Sequence, residues 1–219
     1  MIKAVLFDLD GTIINSEEGI TKCVQYALSS FGIEEPDRKK LLCFIGPPLD
    51  PVFREKYGFD ADKAWQAVLK YRERFDKTGI FECELYEGVA DTIRKLKEAG
   101  CVIALASSKP ETACRRILEH FSLTPYFDEI VGSTLDGSIS TKQQVLEELG
   151  RRMEHMQITK DQMCLIGDTE YDVIGADQFG IRCIGVSYGF GKRELLECAG
   201  AYCVCDNMAE VVEALQQMR

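Results

Sequence analysis

The chain has no apolar run of membrane-spanning length, no surplus of basic residues, no internal repeat and no low-complexity tract. The first absence argues against a transmembrane helix, which needs about 20 consecutive apolar residues. The second argues against a nucleic acid partner. There are 26 lysines and arginines against 36 aspartates and glutamates, a net charge of −10, and nothing would offset the repulsion of a phosphate backbone. A small phosphorylated metabolite stays open, because a metal ion and one or two lysines can reverse the sign locally. The N-terminal residues run straight into a strand pattern, without the basic-then-apolar order of a secretory signal, and a cytoplasmic location is expected. Ten cysteines are present but scattered. Several (Cys23, Cys101, Cys164, Cys183) sit inside apolar periodic segments and read as buried thiols in a reducing compartment. Cys203 and Cys205 share one face of a strand and lack the second ligand pair of a zinc site.

What is present is a 219-residue chain, 46% hydrophobic and 28% charged, enough for one large or two smaller domains. It opens with an apolar strand, Ile2 to Phe7, that runs into Asp8-Leu9-Asp10-Gly11-Thr12. Two carboxylates at the end of a buried strand are costly unless something pairs with them; a magnesium ion and a phosphate would. Helical periodicity follows over Ser16–Phe31, Asp37–Ile45, Asp50–Tyr57 and Asp60–Phe75, so residues 15–82 read as an all-helical insert. The apolar spacing in the last of these uses Trp65, Val68, Leu69 and Phe75.

From Tyr86 onward the pattern alternates. Helices are expected over Val89–Ala99, Glu111–Phe121, Thr141–Met153, Asp172–Phe179 and Met208–Gln217. Strands are expected over Val102–Ala106, Glu129–Val131, Met163–Ile166 and Cys183–Val186. Such alternation predicts an α/β fold, a Rossmann-like parallel sheet covered on both faces. Residues 1–14 and 83–219 would form this core, and residues 15–82 a helical cap over the sheet's carboxyl edge, where open α/β folds bind ligands.

Each of several expected strand or helix ends carries a reactive group. The first strand brings Asp8 and Asp10, the second Ser107 and Ser108, the helix start Thr141-Lys142 an amine, and the strand Met163–Ile166 leads to Gly167-Asp168 with Asp172 four residues on. This ordered set resembles the haloacid dehalogenase-like superfamily of phosphotransferases over the whole chain. The resemblance implies an aspartyl-phosphate mechanism. Asp8 would be the nucleophile, and Asp10 the acid that protonates the leaving alcohol and then the base that activates water. Mg²⁺ would be held by Asp8, the backbone carbonyl of Asp10 and Asp168. Lys142 would add positive charge beside the phosphoryl group, Ser107, Ser108, Gly11 and Thr12 would hold phosphate oxygens, and Asp172 would support the metal from outside its ligand set. Gln143 stands where the family usually has a proline.

A second acid at Asp10 argues against a dehalogenase, which uses a single aspartate. The two histidines, His120 and His155, fall outside the helical insert, which favours hydrolysis over mutase action. The expected substrate is a small phosphate ester of the phosphoglycolate or nucleoside 5′-monophosphate type, and the expected protein a monomer or weak homodimer. Phosphomutase or pyrophosphatase action on the same fold, and a non-catalytic regulatory protein that binds a phosphometabolite, are the alternatives. The length of the insert resembles the phosphoglycolate phosphatase-like branch; Phe44–Leu49, Ser107–Pro110 and Gly132–Gly137 resemble a 5′-nucleotidase-like subset, from which Thr169-Glu170-Tyr171 departs. A phosphoglycolate carboxylate would want Arg54, Lys56 or Arg72; a nucleoside would want Phe53, Trp65 or Tyr71. A further motif, Asp76-Lys77-Thr78-Gly79, resembles the phosphorylated segment of ion-pumping ATPases but comes after a helix rather than a strand, and reads as a helix terminus.

Overall fold

The computed structural model describes residues 1–218. The chain divides into two compact units, Met1–Ile14 with Leu85–Arg219, and Asn15–Glu84. In chain order the elements begin with β1 (Ala4–Phe7) and β2 (Ile14–Asn15), then α1 (Glu17–Ser29), α2 (Leu49–Tyr57) and α3 (Ala61–Phe75), then β3 (Glu84–Leu85). They continue with α4 (Val89–Glu98), β4 (Val102–Pro110), α5 (Glu111–His120), β5 (Glu129–Ser133), α6 (Lys142–Met153), β6 (Met163–Gly167), α7 (Glu170–Phe179), β7 (Arg182–Val186), α8 (Arg193–Cys198), β8 (Cys203–Cys205) and α9 (Met208–Gln217).

The first unit is built on a six-stranded sheet of order β5-β4-β1-β6-β7-β8, its strand pairs all parallel. Its strands read as unbroken apolar runs because helices cover both faces; all four residues of β1 are buried. One face packs Leu6, Ala104 and Leu165 of the sheet against Val145, Leu146 and Leu149 of α6 and Val173 and Ala176 of α7. Register matters most for function. Phe7 pairs with Leu105 of β4 on one side and Ile166 of β6 on the other, so the carboxyl ends of three adjacent strands stand level. The chain winds outward from β1 through β4 to β5, then crosses to β6 on the other side of β1. A reversal of that kind opens a crevice at the carboxyl edge.

The second unit is helical. Its α3 buries Ala64, Ala67, Val68, Tyr71 and Phe75, which keeps Val68 and Phe75 of the expected face inside but not Trp65 and Leu69. Small alanines let α1 and α3 approach closely, and Trp65 and Leu69 are left half exposed, with the Arg72 guanidinium 5.5 Å from the Trp65 ring centroid. Phe53 is fully buried among Phe44 and Phe59. The segment Arg38–Phe44 forms a 3₁₀ helix, capped where the Asp37 side chain accepts from the Lys39 N–H. Gly79 does not stop α3 by a left-handed turn; it opens a short 3₁₀ segment, and Gly19 approaches it so closely that a Cβ on Gly19 would lie 2.1 Å from the Gly79 carbonyl oxygen. All ten cysteines are free thiols.

Candidate active site

The site is built from level strand ends within the first unit. Where β1 stops, the Asp8 N–H still donates to the Ile166 carbonyl (2.9 Å), so the Asp8 side chain emerges directly beside β6. The chain then turns tightly, with the Ile13 and Ile14 N–H groups both donating to the Leu9 carbonyl. Gly11 adopts φ +81°, and a Cβ there would lie 2.0 Å from the Asp168 carboxylate; the position tolerates no side chain. Thr12 is fully buried. Its N–H donates to the Leu9 carbonyl and its hydroxyl to Asp168 Oδ1 (3.4 Å), so both donors turn inward.

Lys142 is the first residue of α6. Thr141 and Gln144 form a capping box that fixes the helix start and sends the Lys142 side chain into the site. Its ammonium donates to Asp8 Oδ1 (2.6 Å) and the Ala106 carbonyl (2.7 Å), and lies 2.8 Å from Asp172 Oδ1. The other Asp172 oxygen accepts from the Thr169 N–H and hydroxyl and so caps α7. Asp168 is fully buried and takes neutral donors, the Thr12 hydroxyl on one oxygen and the Phe190 N–H (2.8 Å) on the other. Ligand atoms of Asp8, Asp168 and Asp172 all lie within 4.8 Å of one another.

Crowding of buried acids shows in their proton affinities. Burial, with help from the Asp172 and Asp10 charges, pushes the Asp8 carboxyl up to about 7 even though Lys142 pulls it down. Asp168 stands well above the ordinary carboxylate range, raised by burial first and then by the Asp172 and Asp8 charges. Burial pushes the Lys142 ammonium down, yet Asp172 and Asp8 outweigh it and the group ends above its ordinary value. A dense set of hard oxygen donors, short of positive charge, fits a divalent cation such as Mg²⁺, Mn²⁺ or Ca²⁺.

Asp8, Asp10, Ser107, Ser108, Lys142, Asp168 and Asp172 stand together at this edge, whereas Gly11 and Thr12, expected to hold phosphate oxygens, spend their N–H groups on the Ile14 and Leu9 carbonyls because the chain turns tightly there; the candidate substrate-reading residues Phe53, Arg54, Lys56, Trp65, Tyr71 and Arg72 belong to the other unit. Strand β4 runs on past Ala106, so Ser107, Ser108 and Lys109 continue it; Ser107 is buried and its Oγ accepts from the Lys109 N–H (3.3 Å). Two contributions were not legible in the sequence. The Lys109 ammonium pairs with both oxygens of Asp10, at 3.0 and 2.7 Å. The segment Tyr188-Gly189-Phe190-Gly191 after β7 wraps Asp168, with the Tyr188 hydroxyl donating to the Thr12 carbonyl (3.0 Å). Two glycines flanking an aromatic just past a strand were the available signal.

A family model of haloacid dehalogenase-like hydrolases matches residues 5–186. The chain belongs to the haloacid dehalogenase-like hydrolases. Within this family it groups with phosphatases. A 5′-nucleotidase of Pseudomonas aeruginosa is 39% identical over 212 residues, 97% of this chain and 95% of the relative. The crystal structure of a predicted phosphatase from Clostridium acetobutylicum superposes with a TM-score of 0.91 at 44% identity, covering 99% of both chains. The pyrophosphatase PpaX of Bacillus mycoides is 29% identical over 217 residues, 99% of this chain and 98% of that one.

Proposed function

We propose that this hydrolase removes phosphate from nucleoside 5′-monophosphates through a phosphoaspartyl intermediate on Asp8, with Mg²⁺ held by Asp8, the backbone carbonyl of Asp10 and Asp168. The observation that carries the mechanism is the buried ammonium of Lys142 seated 2.6 Å from Asp8 at the meeting point of three acids. Its bond is to Oδ1, which leaves Oδ2 for attack. When bound, the metal ion would offset repulsion between the nucleophile and the phosphate dianion.

In the first step Asp8 forms a bond to phosphorus, the bond from phosphorus to the leaving oxygen breaks, and Asp10 gives that oxygen a proton. In the second, Asp10 takes a proton from water, the water oxygen bonds to phosphorus, and the Asp8–phosphorus bond breaks to return the carboxylate and inorganic phosphate. Lys142 keeps its charge throughout and balances the oxygens on either side of the transfer. Ser107 and Ser108 hold phosphate oxygens, and Asp172 holds Lys142 in place. The unit Asn15–Glu84 acts as the cap that selects the substrate.

The nucleotide preference is drawn from the 39% identical 5′-nucleotidase. It is tested by ranking kcat/KM over nucleoside monophosphates, phosphoglycolate, sugar phosphates and pyrophosphate with Mg²⁺. Nucleoside monophosphates should lead; a best rate on pyrophosphate or phosphoglycolate would overturn this choice. Asp8→Asn should lower kcat by about 10⁴-fold or more, in line with the loss of a nucleophile elsewhere. It should also abolish a hydroxylamine-sensitive phosphoryl label on the denatured protein. Retained turnover in that variant would refute the mechanism.

A further inference from the structure

Lys109 has a side chain almost wholly withdrawn from solvent and paired with a carboxylate. Its side chain is 8% exposed and that of Asp10 12%, and the ammonium reaches both oxygens of Asp10, at 3.0 and 2.7 Å. The backbone that carries it is clamped on several sides. Its N–H donates to Ser107 Oγ, its carbonyl accepts the Cys114 thiol of α5 (3.5 Å), and Pro110 fixes the chain just beyond. Gly132 of β5 presses against the same turn: a Cβ there would stand 2.5 Å from the Lys109 carbonyl oxygen. A flexible lysine stem is thus anchored at its base by a strand, a helix and a proline. Ion pairs at the surface rarely justify such anchoring, since they contribute little.

We propose that Lys109 is a positioning residue for phosphoryl transfer, holding the Asp10 carboxyl where it serves first the leaving-group oxygen and then the attacking water. The proposal rests on the reading of Asp10 as the acid and base. Proton traffic stays on Asp10: the oxygen at 3.0 Å gives up its contact with the ammonium, passes its proton to the leaving group and regains one from water, while the oxygen at 2.7 Å keeps its contact. Lys109 neither gains nor loses a proton. Its contribution is geometric, and general acid catalysis depends on placement within hydrogen-bond reach.

A leaving group that departs without a proton gives the decisive readout. p-Nitrophenyl phosphate releases a stable phenolate, whereas a nucleoside monophosphate releases an alkoxide that must be protonated. The first irreversible step governs kcat/KM, so a misplaced Asp10 should slow the alkyl ester selectively. For Lys109→Met, kcat/KM on the nucleoside monophosphate should fall about 10–100-fold, a fraction of the whole effect of a general acid, while p-nitrophenyl phosphate should lose less than about 3-fold by the same reasoning. Asp10→Asn should show the same split, larger. The double variant should be no worse than Asp10→Asn alone, because the two residues act as one unit. Lys109→Arg, which can still pair with both oxygens, should recover part of the alkyl rate. If Lys109→Met does not fold, Lys109→Gln takes its place, retaining a donor toward Asp10. An equal loss on both esters, or a rise in KM at unchanged kcat, would overturn the proposal in favour of a structural or substrate-reading role. If Asp10→Asn itself shows no split, the reading of Asp10 fails; if Asp10→Asn splits the esters and the Lys109 variants do not, only the present proposal fails.

Discussion

Lys142→Met removes a charge while keeping an unbranched apolar stem of similar length. The ammonium it deletes touches Asp8, Asp172 and the Ala106 carbonyl, and the three side chains are 5%, 12% and 3% exposed in the order Lys142, Asp8, Asp172. Removing one partner of a buried ion pair costs about 3–5 kcal/mol, because the charge left behind is neither solvated nor paired. For a chain of this size each kcal/mol moves Tm by about 2–4 °C, so the fall should be about 6–20 °C at a pH where the acids must ionise. The pH dependence has a definite sign. Asp8 rises from its ordinary 3.8 to about 7 on folding, so the folded state favours its protonated form. The stability associated with that proton is complete below the unfolded value and is lost as pH rises through the folded one. Without Lys142 the folded value climbs further, whereas the Lys142 ammonium of the parent is fully charged across the whole interval. The variant should therefore be close to the parent near pH 5 and far below it near pH 8, with a slope of up to about 1.4 kcal/mol per pH unit for each proton involved. Thermal unfolding in chelator, followed by far-ultraviolet circular dichroism, measures this. Tryptophan emission would not, because the single tryptophan, Trp65, belongs to the other unit. A variant within about 2 °C of the parent at pH 8, set against the expected shift per kcal/mol, would refute the reasoning. So would a larger deficit at pH 5 than at pH 8.

Two more outcomes are expected of the same crowded site. Mg²⁺ at about 100 times its dissociation constant should stabilise the protein by about 2.7 kcal/mol at pH 8. Near pH 5 the effect should be much smaller, because the cation must displace protons from Asp8 and Asp168; equal Tm shifts at the two pH values would count against the carboxylate site. Gly175→Ala in α7 would place a Cβ 2.6 Å from Lys142 Cγ. It should destabilise by about 1–3 kcal/mol, as overpacking does, and lower kcat by displacing the ammonium. An unchanged melting curve and kcat would show that Lys142 does not need that space.

Much of the candidate site was legible because Asp8, Ser107 and Asp168 each stand just past a buried apolar run, whereas Lys142 opens α6 after a loop. Ile2 to Phe7, Val102 to Ala106 and Met163 to Ile166 could only be central parallel strands, and such strands deliver the residues at their carboxyl ends to one edge. The register that levels Phe7, Leu105 and Ile166 then brings together groups more than 150 residues apart in sequence. Pairing between Lys109 and Asp10 was not legible, since 99 residues separate them and a lysine after two serines gives no sign of its partner. Strands β2 and β3 have two residues each and α8 has six, too few for periodicity to register. Trp65 misled for a different reason: burial on α3 tracks the small alanines that permit close helix contact, so the largest apolar side chain of the helix lies outside.

The distribution of charge shows why such a site suits a divalent cation. Four carboxylates meet two ammoniums. Lys109 pairs with Asp10, and Lys142 is divided between Asp8 and Asp172. Asp168 takes only a hydroxyl and a backbone N–H, both neutral, and burial with the Asp172 and Asp8 charges pushes its proton affinity far up although the Phe190 N–H works the other way. The deficit can be covered in two ways, by protons on Asp8 and Asp168 or by a divalent ion between them. On the proposed mechanism a protonated Asp8 could not attack phosphorus, so the first way would give a folded but inactive protein, and only the second would leave the Asp8 carboxylate charged. A phosphate ester arriving first would deepen the deficit, which makes cation binding before substrate the favourable order. It also accounts for how a chain of net charge −10 can accept an anionic substrate: attraction is supplied at the site and not by the surface as a whole.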